Sequence, residues 1–260
     1  MFLIEPQRTQ YDLHFQIAGI PVRVHPLFWL AALILGYTGA QGSEDAGALV
    51  LVWVSAMFVS ILVHELGHAF TMRYFGESPQ VVLYLMGGLA ISGGSASSLN
   101  YGGLHRSRLS QIIISAAGPA AGFLLAGWVV ALLLATGGGV VFAGQIIPFI
   151  TGVSNPYLYA LVFYLLLINV LWGLINLLPV YPLDGGQIAR ELLVGKNPSE
   201  GMRQSLWLSV VTGAAVAVLG LIFLKSLFMA ILFGSLAFSS YQLLQSFGGR
   251  GGGGFGGRPW

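Results

Sequence analysis

"ALVLVWVSAMFVSILVHELGHAF" (residues 48–70) decides the fold. Residues 46–63 carry no formal charge, and at ~1.5 Å per residue they reach ~27 Å as a helix, close to the ~30 Å of a bilayer's hydrocarbon core. The same helix then takes on His64, Glu65 and His68 before it ends near Arg73. Such groups are expensive inside a membrane unless a strong partner holds them, so their presence in this run marks chemistry.

The rest of the chain agrees with a membrane setting. Of its 260 residues 56% are hydrophobic and 8% charged, against roughly 25% charged in an ordinary soluble domain. Apolar patterning predicts an all-α polytopic membrane protein with about six transmembrane helices, over residues 26–41, 46–73, 108–135, 157–178, 206–224 and 226–246. Between the second and third, "VVLYLMGGLAISGG" (81–94) places β-type residues around two glycines, the pattern of a short β-hairpin or re-entrant segment. The domain reading is an N-terminal cytoplasmic segment (1–24), a membrane domain (25–246) and a flexible Gly-rich tail (247–260). The first 15 residues lack a basic region followed by an apolar run and a cleavage site, so no removable signal peptide is expected.

Charge sets the orientation. Ten of the 11 basic residues fall in connections on one side, leaving Lys225 on the other, and basic residues concentrate in cytoplasmic loops. Both termini are therefore expected in the cytoplasm. A net charge of +2, scattered along the chain, argues against a nucleic-acid partner. With zero cysteines, disulfides, thiolate ligands and a Cys nucleophile are excluded, and any metal must take N and O ligands.

His64 and His68 are four apart, so a helix projects both imidazoles from one face within reach of one ion. Glu65 between them stands where the HExxH arrangement has its base, the group that takes a proton from water. At this chain's composition the pattern would arise by chance about 0.002 times, so coincidence is a poor account of it. A catalytic zinc site normally uses three protein ligands. Thr71 and Tyr74 occupy the positions where a metzincin continuation needs Gly and His, which removes that class. Asp184, Glu77, Glu191, His105 and His25 remain as third ligands. Among them Asp184 stands out, because Pro179 and Pro182 break the fourth span just before it and Gly185 and Gly186 follow, opening the backbone and allowing close approach. Its depth also agrees. The histidines lie ~8 to 14 Å below the cytoplasmic end of their helix, and Asp184 closes the fourth span on that same side. Glu77 and His105 are expected to be solvated, Glu191 paired with Arg190, and His25 interfacial. Gly118 and Gly122 form GxxxG, which predicts tight packing of the third span on the second. Asn169 and Asn176 are seven apart and share a face of the fourth span, the first reading as an interhelical hydrogen bond.

"HELGH" (64–68) followed by "NLLPVYPLDGG" (176–186), with "AAGPAAG" (116–122) and "GIPVRVHP" (19–26), resembles the site-2 protease family of intramembrane zinc metalloproteases. The resemblance implies one Zn2+ held by His64, His68 and Asp184, with Glu65 as general base and Asn176 near the substrate or its oxyanion. It also implies a function: cleavage of single-span membrane proteins near the cytoplasmic face, in regulated intramembrane proteolysis, from the lipid bilayer of a bacterial inner membrane. PDZ and CBS domains are not expected. Gly122 stands three residues after Pro119, where the family usually has Asn. Two other classes compete: a metal transporter, and a non-catalytic membrane binding protein of the same fold. Two imidazoles and a carboxylate would also accept Fe(II), Co(II) or Mn(II).

Overall fold

The computed structural model describes residues 6–85, 87–92, 107–141 and 149–248. His105 and the Gly-rich tail beyond 248 lie outside the described residues. The described residues form two compact units, one within 6–92 and 117–175, the other within 107–116 and 176–248.

The first unit is built around α2 (Ala46–Tyr74), the helix that carries the motif. Its 29 residues extend ~43 Å, more than a bilayer core needs. Small and apolar side chains bury one stripe of it, through Met57, Ile61, Leu66, Ala69 and Met72. That stripe packs on α1 (Pro26–Ala40) and on a four-stranded sheet of β1 (Leu13–Ile17), β2 (Ile20–Val24), β3 (Pro79–Tyr84) and β4 (Gly87–Ser92). The expected hairpin is β3 and β4, antiparallel, with Leu83 opposite Gly88. Not foreseeable from residue patterning is that β2 runs parallel to β3, so that α1 and α2 together form the crossover between them. Val22, Val24, Val81 and Leu83 fill the interior with Phe28, as strands covered on both faces require.

Two N-terminal groups differ from their expected surroundings. Arg23, one of the basic residues assigned to connections, is 1% exposed; its Nη1 donates to Asp12 Oδ2 at 3.0 Å and its Nη2 to the Pro6 carbonyl. Burial pushes the Asp12 carboxyl up, but hydrogen bonds from Thr9 and the charge and hydrogen bond of Arg23 outweigh it and hold the pKa at about 2. The stability this pair adds is complete above the carboxyl's ordinary 3.8 and is lost as pH falls through about 2. His25, expected at the interface, is buried instead. It caps α1: its Nδ1 accepts from the Leu27 amide at 3.2 Å, with Pro26 at the first helical position.

The first expected span, 26–41, is found within one residue of those bounds but is too short to cross. At 15 residues α1 reaches ~22 Å, short of a full crossing, and the chain turns at Gly42 with φ +85°. Among the described residues five helices are long and apolar enough to cross a membrane: Ala46–Tyr74, Arg108–Ala135, Pro156–Asn176, Pro198–Ile222 and Leu227–Ser246.

The first unit also holds α4 (Pro156–Leu167), capped by Asn155, whose side chain accepts from the amides of Tyr157 and Leu158. After it comes a π turn, Ile168–Trp172, and then α5 (Gly173–Asn176). One residue inserted by a π turn rotates the later part of the helix by ~100°, so the seven-residue spacing of Asn169 and Asn176 no longer returns to one face. A short hairpin, β5 (Gly139–Val141) with β6 (Phe149–Thr151), packs Ile150 onto Leu133 and Leu166.

The second unit is helical: α6 (Asp184–Lys196), α7 (Pro198–Ile222) and α8 (Leu227–Gly248). Gly213 and Gly220 let α7 and α8 close on each other, with Ala237 and Met229 in the space their side chains would need. The fifth span thus begins at Pro198 rather than 206, its start fixed by Asn197, whose side chain accepts from the Glu200 amide. The remaining helix, α3 (Arg108–Ala135), runs through Pro119.

Candidate metal centre

His64, Glu65 and His68 are all more than nine-tenths buried, on the helix that the sheet and α1 hold in place. The two Nε2 atoms stand 3.2 Å apart, with the rings near perpendicular at 78°. Two nitrogens bound to one tetrahedral zinc at ~2.0–2.1 Å would be ~3.3 Å apart, so the pair already holds the spacing that the ion demands. One ligand atom each from His64, His68 and Asp184 all lie within 4.8 Å of one another, a group able to bind a metal ion. The donor set, two imidazoles and a carboxylate with one position left over, is that of a catalytic zinc rather than a closed structural one.

Room for this group comes from glycines, a role that residue spacing alone does not reveal. A Cβ on Gly118 of α3 would overlap His68 Nε2 and lie 2.8 Å from His64 Nε2. Only a hydrogen fits there. Gly118, expected to serve helix packing alone, therefore also borders the ligand atoms. The packing itself is real: a Cβ on Gly67 would come within 2.5 Å of the Ala117 carbonyl and 2.8 Å of Ala121 Cβ. On the other side, β4 crosses the base. A Cβ on Gly88 would overlap Glu65 Cγ and lie 2.7 Å from its Oε1. No signal in the local sequence ties residue 88 to residue 65.

Asp184 opens α6, where an anion is favoured by the helix dipole, and it is buried. Here the expectation of an opened backbone is half right. Residues 177–183 leave the helix around Pro179 and Pro182, but Gly185 and Gly186 are helical and have ordinary negative φ. They are small because the preceding turn folds back over them: a Cβ on Gly185 would overlap the Leu177 carbonyl, and one on Gly186 the Val180 backbone. That turn is tied down by the Tyr181 amide donating to Ser209 Oγ at 3.0 Å. Asn176, the last residue of α5, is buried.

The rejected ligands have other work. His25 is the cap of α1, Glu191 accepts from Arg190 Nη2 at 3.0 Å as expected, and Glu77 is half-buried rather than solvated. Asn169 makes the interhelical bond expected of it, donating to Ser60 Oγ at 2.8 Å.

A zinc metalloprotease of Methanocaldococcus jannaschii is 26% identical over 210 residues, 80% of this chain and 52% of that protein. A protein of Mycobacterium tuberculosis named as a putative zinc metalloprotease is 30% identical over 190 residues, 68% of this chain and 42% of its own length. The chain thus spans about half the length of the curated relatives it matches. The structure of a site-2 protease from Methanocaldococcus jannaschii superposes with a TM-score of 0.52 over 90% of this chain and 95% of that one, at 22% identity, a likeness of fold. Apolar spans and relatives together make this a multi-pass membrane protein. The family model described as Peptidase family M50 matches residues 52–220, spanning both parts of the motif pair, and the chain belongs to that family.

Proposed function

We propose that this protein is a zinc-dependent endopeptidase that cuts the membrane segments of single-span proteins near the cytoplasmic face, with both termini in the cytoplasm of a bacterial cell. The observation that carries the reading is the imidazole pair, 3.2 Å apart and buried, with Glu65 next to it and Asp184 in the same metal-capable group. His64, His68 and Asp184 would hold the ion. When bound, zinc supplies a lowered pKa for water and a polarised substrate carbonyl. Glu65 takes a proton from the attacking water on its carboxylate and hands it to the leaving amide nitrogen, so that one group serves as base and then as acid. Asn176, through its side-chain N–H, would donate to the oxygen that gains charge as the carbonyl is attacked.

A helical substrate hides its carbonyls in its own hydrogen bonds, so it must be extended before attack. β4 is suited to that task. It pairs with β3 on one side, no strand among the described residues pairs on its other edge, and it lies on Glu65. An extended segment added to that edge would bring its backbone to the base. Replacing Gly88 with Ala should displace the Glu65 carboxylate and lower the cleavage rate ~10²-fold at unchanged zinc content, since a shift of ~1 Å at a reacting group has effects of that order. Gly87→Ala is the control, because a Cβ there meets nothing within 4 Å. Equal rates for the two variants would remove β4 from the site.

The decisive experiment combines elemental analysis with cleavage of single-span substrates by the purified protein in detergent. One zinc per chain is expected, with cleavage abolished by a chelator and restored by Zn2+. Asp184→Asn should bind zinc ~10²-fold more weakly or worse, a ligand counting for at least as much as the outer-shell partners whose loss weakens binding 10–100-fold. Metal flux into liposomes without cleavage would replace the protease with a transporter.

A further inference from the structure

A buried polar node lies on the same stripe of α2 as the histidines, and the chemistry above makes no use of it. Ser60 is 2% exposed and stands four residues before His64, so Ser60, His64 and His68 form one line down the helix. Asn169 is 3% exposed and sits inside the π turn. Its Nδ2 donates both of its hydrogens, to Ser60 Oγ at 2.8 Å and to the Leu165 carbonyl at 2.8 Å. Its Oδ1 faces Gly122, where a Cβ would come within 3.3 Å of it. The amide therefore joins three helices: it braces the point where α4 changes to π geometry, grips α2, and occupies the space that Gly122 leaves on α3. Single π turns inside α-helices are frequent at functional sites. In a medium without competing water, such bonds are not readily exchanged for others.

We propose that Asn169 is a positioning residue for the metal-binding histidines, acting through Ser60 to set the rotation of α2 about its axis. The lever is short and the tolerance small. An imidazole nitrogen stands roughly 7 Å from the helix axis, so a rotation of ~10° moves it ~1 Å, whereas ligand distances at a metal hold to about 0.2 Å. The proposal rests on the metal reading given above.

Its test is metal binding by the full-length protein in detergent, titrated with Zn2+ and with Co2+, whose visible absorption reports coordination geometry. Asn169→Ala and Ser60→Ala should each weaken zinc about tenfold, the lower end of what outer-shell partners show, and each should alter the cobalt spectrum. The double variant should be no worse than either single one, because both remove the same bond. Ser60→Thr, which keeps the hydroxyl, should restore affinity. Unchanged zinc affinity and cobalt spectrum in Asn169→Ala, or effects that multiply in the double variant, would overturn the proposal. Where Asn169→Ala fails to fold, Gly122→Ala decides: it displaces the amide by a few tenths of an ångström and should alter the cobalt spectrum, and an unaltered spectrum counts against the idea. If the unaltered protein binds neither ion, the metal reading itself falls; if it binds both and the variants match it, only this inference does.

Discussion

Glu65→Gln should yield a protein that folds, keeps its zinc and does not cut. The amide is nearly the same size as the carboxylate and fits under Gly88, so packing is preserved. What it lacks is a proton acceptor. General-base catalysis supplies ~10² to 10⁴ in rate, and the loss should fall at the upper end of that range because the one carboxylate of the metal-capable group, Asp184, would be engaged as a ligand. Single-turnover cleavage on gels, alongside elemental analysis of the same preparation, measures both halves of the expectation. A variant that retains zinc and full activity would show that Glu65 is not the base. One that loses zinc would make Glu65 part of the ion's support rather than of the proton transfer.

The second large effect concerns a residue with no side chain. Gly118→Ala places a methyl group against His68 Nε2, with His64 Nε2 2.8 Å away. These are not the loose ends of flexible chains. Both rings come from one helix, and α3 is held against it where Gly67 meets Ala117 and Ala121. The methyl must therefore displace the imidazoles or part the helices. Either way the ligand spacing is lost, and zinc affinity should fall by at least ~10²-fold, beyond the range seen when only an outer-shell partner is removed. Gly127→Ala, on the same helix with nothing within 4 Å of its Cβ, should leave zinc binding unchanged. Isothermal titration with Zn2+ compares the two. Comparable affinities would mean that α3 does not border the ligand atoms.

The parts of the site that can be read from sequence are those set by local geometry. Four-residue spacing on a helix brings His64 and His68 to one face in any protein, and the proline break before Asp184 marks where the chain leaves the membrane segment. The hairpin around Gly87 and Gly88 is legible from its β-type residues for the same reason. Contacts between distant segments leave no such trace. That Gly88 covers Glu65, or that Gly118 faces the imidazoles, depends on how a strand and a helix cross α2. The π turn is a change of hydrogen-bond partner rather than of residue type, so Asn169 and Asn176 look co-facial from spacing alone. Arg23 looks like a loop cation because its partner, Asp12, is eleven residues away and meets it only once β1 and β2 pair. Helix α6 escapes a reading of residue types because two adjacent glycines ordinarily end a helix. Here the fold-back of residues 177–181 needs their smallness, and tertiary packing overrides their weak propensity.

The brevity of α1 carries a consequence for the surrounding lipid. Its outward face is greasy, with Leu30, Ile34 and Tyr37 all more than half exposed, yet it is ~8 Å too short for an average bilayer. Acyl chains bordering a short wall compress rather than leave apolar surface wet. Headgroups, and the water they carry, would thereby be drawn inward beside α2. The proposed hydrolysis among lipids would need such a supply, and a stunted wall would provide it.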